Sequence, residues 1–381
     1  MSRFRPIKRL AFEINLRITG GIAVKYRWVD RLFRTLTNML QGERLLFFCS
    51  YLLTRWINLW RNPARLRPQR ILIFRLDEIG DMVTTLPVFE ALKKRHPQVE
   101  LTLFCKPLMK SLVQYDPNLD RIVTDYAALS GRYDVIIDLR GDWDSLRFAL
   151  GQRPKLRLDR GSHRFINRLF KREQEHELLF NLKITAPVTG EILAAPHAQI
   201  YTGKRNIQQA ELFVQRHDLD QFVVFHTGAR KLLRRWGLQS WATLAAALKS
   251  DYGYNIVFAG AVEDVADIKR IQDKIPFETF SFADKGNLLD YAALVTLAQL
   301  MVGNESGPMH IAAATGTPTL ALFGPGQPEI FAPFGEQHRF LHIKLACNPC
   351  DQLSCVFPEN PCMNRLKSEQ VLTEIHTMLH R

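Results

Sequence analysis

The sequence predicts an α/β protein made of two doubly wound halves that face each other across a cleft. Three observations predict it. Apolar runs of strand length alternate with helical stretches from residue 70 onward, the pattern of parallel βαβ units. That alternation breaks off and restarts near residue 222. The chain is 381 residues long, too long for one small core and suited to two domains plus an appendage.

Residues 1–68 read as a basic N-terminal extension. The first 70 residues hold fifteen Lys and Arg against Glu13, Asp30 and Glu43, so they carry nearly all of the formal charge of +13. Trp28, Phe47, Trp56 and Trp60 stand among these arginines. Such a mixture fits amphipathic helices lying on an anionic membrane surface. It fits equally an extra helical layer packed on the body. The run Leu45–Leu53 is too short to cross about 30 Å of hydrocarbon, and Arg55 interrupts its extension. With 46% hydrophobic and 23% charged residues, the composition excludes a polytopic membrane protein.

Pro63–Gln69, rich in Pro and Arg, is the predicted linker. An N-terminal domain then covers residues 69–205. It opens with a predicted strand at 70–76, a loop through Gly80, a helix over about 81–95, and strands at 99–104 and 135–139. The second domain, residues 206–366, opens with the strand Phe222–His226. Predicted strands follow at 255–259, 300–303 and 318–323, with helices at 240–250, 288–299 and 308–314 between them. A closing helix occupies residues 367–381. In such folds ligands bind beyond the carboxyl ends of the strands.

The first candidate for chemistry is Gly80-Asp81, a tight turn with a carboxylate at a helix start. Facing a cleft, Asp81 could accept a proton from an attacking hydroxyl; it could equally serve as a helix cap. The second is Gly303-Asn-Glu-Ser-Gly-Pro-Met-His310. Free backbone N–H groups at the helix start suit a diphosphate. Gly307 would let phosphate approach the backbone, Glu305 would bind sugar hydroxyls beside Ser306, and His310 would donate to a phosphate or sugar oxygen. The third is His226-Thr227-Gly228-Ala229, followed by Arg230, Lys231, Arg234 and Arg235, four cations able to neutralise a leaving diphosphate without a metal. The fourth is Gly260-Ala-Val-Glu-Asp264, where Asp264 stands at a ribose-binding spacing.

Taken together, four stretches resemble the family 9 glycosyltransferases, which include the lipopolysaccharide core heptosyltransferases. They are Arg75-Leu-Asp-Glu-Ile-Gly-Asp-Met-Val-Thr-Thr-Leu-Pro87, Phe225-His-Thr-Gly-Ala229 with Arg234-Arg-Trp236, Asn304-Glu-Ser-Gly-Pro-Met-His310, and Leu322-Phe-Gly-Pro325. The resemblance covers roughly residues 70–366. It implies a GT-B fold of two Rossmann-like domains, acceptor side first and nucleotide-sugar side second. It also implies an inverting, metal-independent transfer from ADP-heptose to a lipid-linked saccharide, on the cytoplasmic side and peripheral to the inner membrane. Nucleic acid is not an expected partner. The family's base falls on Asp81 and its phosphate cation on Arg234, where relatives often have Lys. Its donor contacts fall on Glu305, Ser306, Gly307 and His310; Glu305 replaces a shorter Asp. Asp264 matches a position near the ribose. Other readings of the chain are a transferase with a protein acceptor, a nucleotide-sugar epimerase of the same fold, and a non-catalytic basic binder of membrane or nucleic acid on a transferase scaffold.

Cys347, Cys350, Cys355 and Cys362 cluster in a Pro/Asn-rich loop before the last helix. Four thiols within sixteen residues suit a tetrahedral structural zinc or iron site. Reduced thiols or two disulfides are the alternatives, and a cytoplasmic location disfavours disulfides.

Overall fold

The structure, a computed structural model, describes residues 63–141, 143–161, 175–190 and 196–380. The predicted amphipathic extension, apart from its last few residues, lies outside the described residues. Among those described, no helix is long and apolar enough to cross a membrane.

The first sheet is parallel throughout, in the order β3-β2-β1-β4-β5. Its strands are β1 (Arg70–Arg75), β2 (Glu100–Cys105), β3 (Arg121–Val123), β4 (Val135–Asp138) and β5 (Leu156–Asp159). The central strand β1 is buried from Ile71 to Arg75. That explains its near-continuous apolar run, since helices cover both faces of a parallel sheet. The helix expected over 81–95 is in fact two, α1 (Ile79–Val83) and α2 (Leu86–Arg95). Pro87 has no N–H to give a continuous helix, so the chain restarts there with Pro87 in the first turn. The freed hydroxyls of Thr84 and Thr85 donate to the Asp81 carbonyl at 3.0 and 2.8 Å.

The second sheet has six parallel strands in the order β11-β10-β9-β6-β7-β8. They are β6 (Phe222–His226), β7 (Asn255–Ala259), β8 (Phe280–Ser281), β9 (Leu300–Asn304), β10 (Thr319–Phe323) and β11 (Arg339–His342). The helix Lys204–Arg216 joins this half. It is tied to the helix Leu288–Thr296 by Asn206 Nδ2 donating to Asp290 Oδ1 at 2.6 Å. The closing helix Ser368–Leu379 buries Val371 and Ile375 in the same core as Trp241 and Leu248. Both sheets present their carboxyl ends to the junction between the halves, where a reversal of strand order opens a crevice.

Candidate functional site

Asp81 sits in the first turn of α1, its side chain 25% exposed. Its Oδ2 accepts the Glu78 N–H at 3.2 Å, the reciprocal bond of a helix start. Its Oδ1 faces Arg75 Nη2 at 3.3 Å. The carboxylate thus takes the capping role the sequence allowed while a quarter of its side chain stays exposed.

Two glycines bring α1 against the second domain. The helix Gly307–Ala314 packs directly on α1. A Cβ on Gly80 would lie 2.7 Å from the His310 ring, and one on Gly307 would lie 2.6 Å from Cβ of Ile79. Gly307 has a packing role that its place at a helix start does not announce. What approaches its backbone is Ile79 of the Asp81 helix, so glycine here permits close interhelical packing. His310 follows the same logic. It is buried against Gly80 and lines a cavity of about 280 Å³ with His176, Thr84, Gln199 and Phe334. Burial pushes it down to about 4; His176 lowers it further and Asp81 opposes. A second bridge between the halves is His176, which donates from Nε2 to the Ala332 carbonyl at 2.8 Å and accepts from Leu178 N–H at Nδ1. Those two bonds fix its neutral tautomer.

The strand ends of the second domain converge. Asn304, fully buried, donates to the Thr227 carbonyl at 2.6 Å and accepts from Trp236 N–H at 3.1 Å. Ser306 Oγ donates to the Asn304 carbonyl at 3.0 Å and lies 3.3 Å from Nδ1 of buried His226. Burial lowers His226 to about 4. The loops around Thr227 and Ser306 thus form one floor. Thr227 Oγ1 and Glu305 Oε2 are buried on it with no hydrogen-bond partner among the described residues. Buried oxygens without a protein partner are open to a polar ligand or water.

The cations are less free than their sequence suggests. Arg230 reaches across the cleft to Glu78 at 2.7 Å, an exposed pair worth under ~1 kcal/mol. Arg235 is spent on Asp267 at 2.8 Å and Asp264 at 3.4 Å. Arg234 is held by Gln352 at 2.6 Å and Glu305 at 3.1 Å. The Lys231 carbonyl accepts from Arg234 N–H at 3.0 Å, and its side-chain ammonium makes no ion pair or hydrogen bond among the described residues. Glu305 is pushed up to about 7 by burial, with Arg234 pulling the other way.

Asp264 is turned inward. It accepts the Ala261 N–H at 3.2 Å, pairs with Arg235 and lies under Gly228, whose Cβ would meet its carboxylate at 2.3 Å. Its carboxylate ties the loop after β7 to Arg235 and lies against Gly228 at the end of β6, with 10% of the side chain exposed. Ala229 is buried beside it.

All four loop cysteines are free thiols lining a cavity of about 30 Å³. Among the described residues, no three His, Cys, Asp or Glu side chains are gathered to hold a metal ion. Cys355 accepts from Phe357 N–H, and burial raises both Cys350 and Cys362, which favours thiols over the thiolates a metal needs.

Sequence reasoning missed Arg75, Glu177 and Arg160. Arg75 is fully buried and bonds Asp77, Asp81 and Glu177; Arg160 also grips Glu177. The available signal was an arginine ending an apolar strand.

Comparison with known proteins agrees with this architecture. Residues 127–360 match the model of glycosyltransferase family 9 (heptosyltransferase). The lipopolysaccharide core heptosyltransferase OpsX of Haemophilus influenzae is 24% identical over 335 residues, 81% of this chain and 94% of that protein. A family 9 glycosyl transferase of Veillonella parvula superposes with a TM-score of 0.70 at 20% identity, covering 82% of this chain and 97% of that one. The structure of E. coli ADP-heptose lps heptosyltransferase II gives 0.65 at 19% identity, with 82% and 98% covered.

Proposed function

The chain belongs to glycosyltransferase family 9, and from that premise we propose that it moves a heptose from ADP-heptose to a lipopolysaccharide core acceptor, with Asp81 as general base. One observation carries the reading. The helix bearing Asp81 is seated on the helix that begins at Gly307, which brings the carboxylate next to the segment that follows Glu305 and Ser306.

The reaction follows from the residues. The acceptor hydroxyl attacks the anomeric carbon while Asp81 takes its proton. The bond to ADP breaks on the opposite face, which inverts the configuration. Lys231, Arg234 and the N-terminus of Gly307–Ala314 receive the developing diphosphate charge. Glu305 Oε2 accepts from donor sugar hydroxyls, and Thr227 Oγ1 meets a donor hydroxyl or phosphate oxygen. Arg234, already anchored by Gln352 and Glu305, presents its fork in a fixed direction. The likeness to a protein described as an ADP-heptose heptosyltransferase supports the donor. A lipid-linked acceptor also suits the cationic, aromatic residues 1–68, which would bring the enzyme to the cytoplasmic face of the inner membrane.

Asp81→Asn is the test. It preserves size and the cap, so the variant should fold, bind ADP and lose about 10²- to 10⁴-fold in transfer rate. Turnover near wild type in an ADP-heptose assay would overturn the base assignment.

A further inference from the structure

We infer that Arg75 is a positioning residue for the transfer, orienting the Asp81 carboxylate from behind and held in turn by Glu177. This rests on the reading of Asp81 as the base.

The geometry is specific. Arg75 closes β1, and its side chain is 0% exposed. An arginine has five N–H donors in a planar fork, and here the fork is fully used. Nε donates to the Asp81 carbonyl at 3.0 Å. Nη1 donates to the Leu139 carbonyl at 2.6 Å and to Asp77 Oδ2 at 3.3 Å. Nη2 donates to Asp81 Oδ1 at 3.3 Å and to Glu177 Oε1 at 3.1 Å. The acceptors fall into two groups. Asp77 and Asp81 belong to the loop and helix that carry the base. Leu139, just past β4, and Glu177, in the first turn of the helix Glu177–Thr189, belong to the body of the domain.

Energetics argue for geometry over stability. A buried ion network gives little net stabilisation, because desolvation offsets its attraction. Glu177, itself 4% exposed, is shared between Arg75 and Arg160, and Arg160 stacks over Phe180 at 5.7 Å. The Glu177 carboxylate is thereby pinned from both sides. What the network does fix is a five-residue helix that could not hold its own orientation. Asp81 has one oxygen on Arg75 and the other on the Glu78 N–H, so its carboxylate plane follows the guanidinium. A displacement of 1 Å at a reacting group can cost about 100-fold.

Lysine at 75 would keep the charge and lose the fork. In the full-length protein, Arg75→Lys should lower kcat about 100-fold. Its calorimetric Kd for ADP and its KM for ADP-heptose should stay within about threefold, since no donor contact involves Arg75. The double variant R75K/D81N should be no slower than D81N alone, because Arg75 works through Asp81. A crystal structure of R75K should show the Asp81 carboxylate moved by about 1 Å, a readout that needs no substrate. An unmoved carboxylate, a kcat near wild type, or an equal R75K effect in the D81N background would overturn the inference. A fast D81N enzyme would instead overturn the base reading. If R75K fails to fold, Glu177→Gln replaces it. It keeps size but weakens the anchor, and a roughly tenfold fall in kcat with unchanged ADP binding is expected; normal turnover would refute the relay.

Discussion

Glu305→Gln should make the protein more stable at pH 8 while leaving it unchanged near pH 4. Glu305 has a side chain 4% exposed, one oxygen on Arg234 and one without a partner. Burial holds its carboxyl at about 7, above the ordinary 4.5. Because the folded value is the higher one, the native chain keeps this proton through a window in which the unfolded chain has released it. Stability therefore falls as pH rises from 4.5 to 7, and the full cost is present above 7. At about 1.4 kcal/mol per pH unit, the cost approaches roughly 3 kcal/mol at pH 8. Glutamine has the same shape and no charge to desolvate, so it removes that cost. Arg234 then loses an ion pair, but it retains Gln352 and is partly exposed, so the offset is small.

Thermal melting at pH 4 and pH 8 checks this. With about 2–4 °C per kcal/mol for a domain of this class, the variant's midpoint should exceed wild type by several degrees at pH 8 and match it at pH 4. A difference that does not vary with pH, or a variant that is less stable at pH 8, would refute the reasoning. Donor turnover should fall in parallel, since the amide no longer presents the same acceptor.

Three further outcomes follow from the same floor. Gly307→Ala adds a Cβ 2.6 Å from that of Ile79; about 1–3 kcal/mol of overpacking strain is expected, and kcat should drop more than the melting temperature suggests because the Asp81 helix is pushed away. Gly326→Ala places a Cβ 2.0 Å from Glu305 Oε2, so KM for the sugar donor should rise about tenfold while ADP binding, read by calorimetry, is nearly kept. Lys231→Ala should weaken ADP about tenfold, with the loss shrinking as salt is raised from low to physiological concentration.

Much of the fold was legible because central strands of a parallel sheet are buried on both faces. Phe222–His226, Asn255–Ala259 and Thr319–Phe323 are buried almost throughout and read as unbroken apolar runs. The outer strands were not legible. Leu156–Asp159 alternates Leu with Arg and Asp, and those charges are buried as an ion pair at 3.3 Å that no periodicity announces. Phe280–Ser281 is only two residues long. The break between α1 and α2 did carry a signal, Pro87, because a proline inside a predicted helix asks for a new start.

The site was legible as a set of residue types and illegible as a set of partners. Four cations in one loop look like four free charges in a sequence, yet three are spoken for by carboxylates that lie distant in the chain: Glu78, Glu305, and Asp264 with Asp267. The same limit explains the glycines. A glycine states that something comes close to the backbone without saying what, and phosphate was the reading the neighbouring helix start invited. At Gly307 the close neighbour is Ile79, and at Gly80 it is His310, residues 228 and 230 positions away along the chain. Such contacts depend on how the two halves meet, which local sequence does not encode. They are also what makes the reading physically sound: a carboxylate acts on a donor held by another domain only if the two helices can approach this closely, and either glycine replaced by a larger residue would hold them apart.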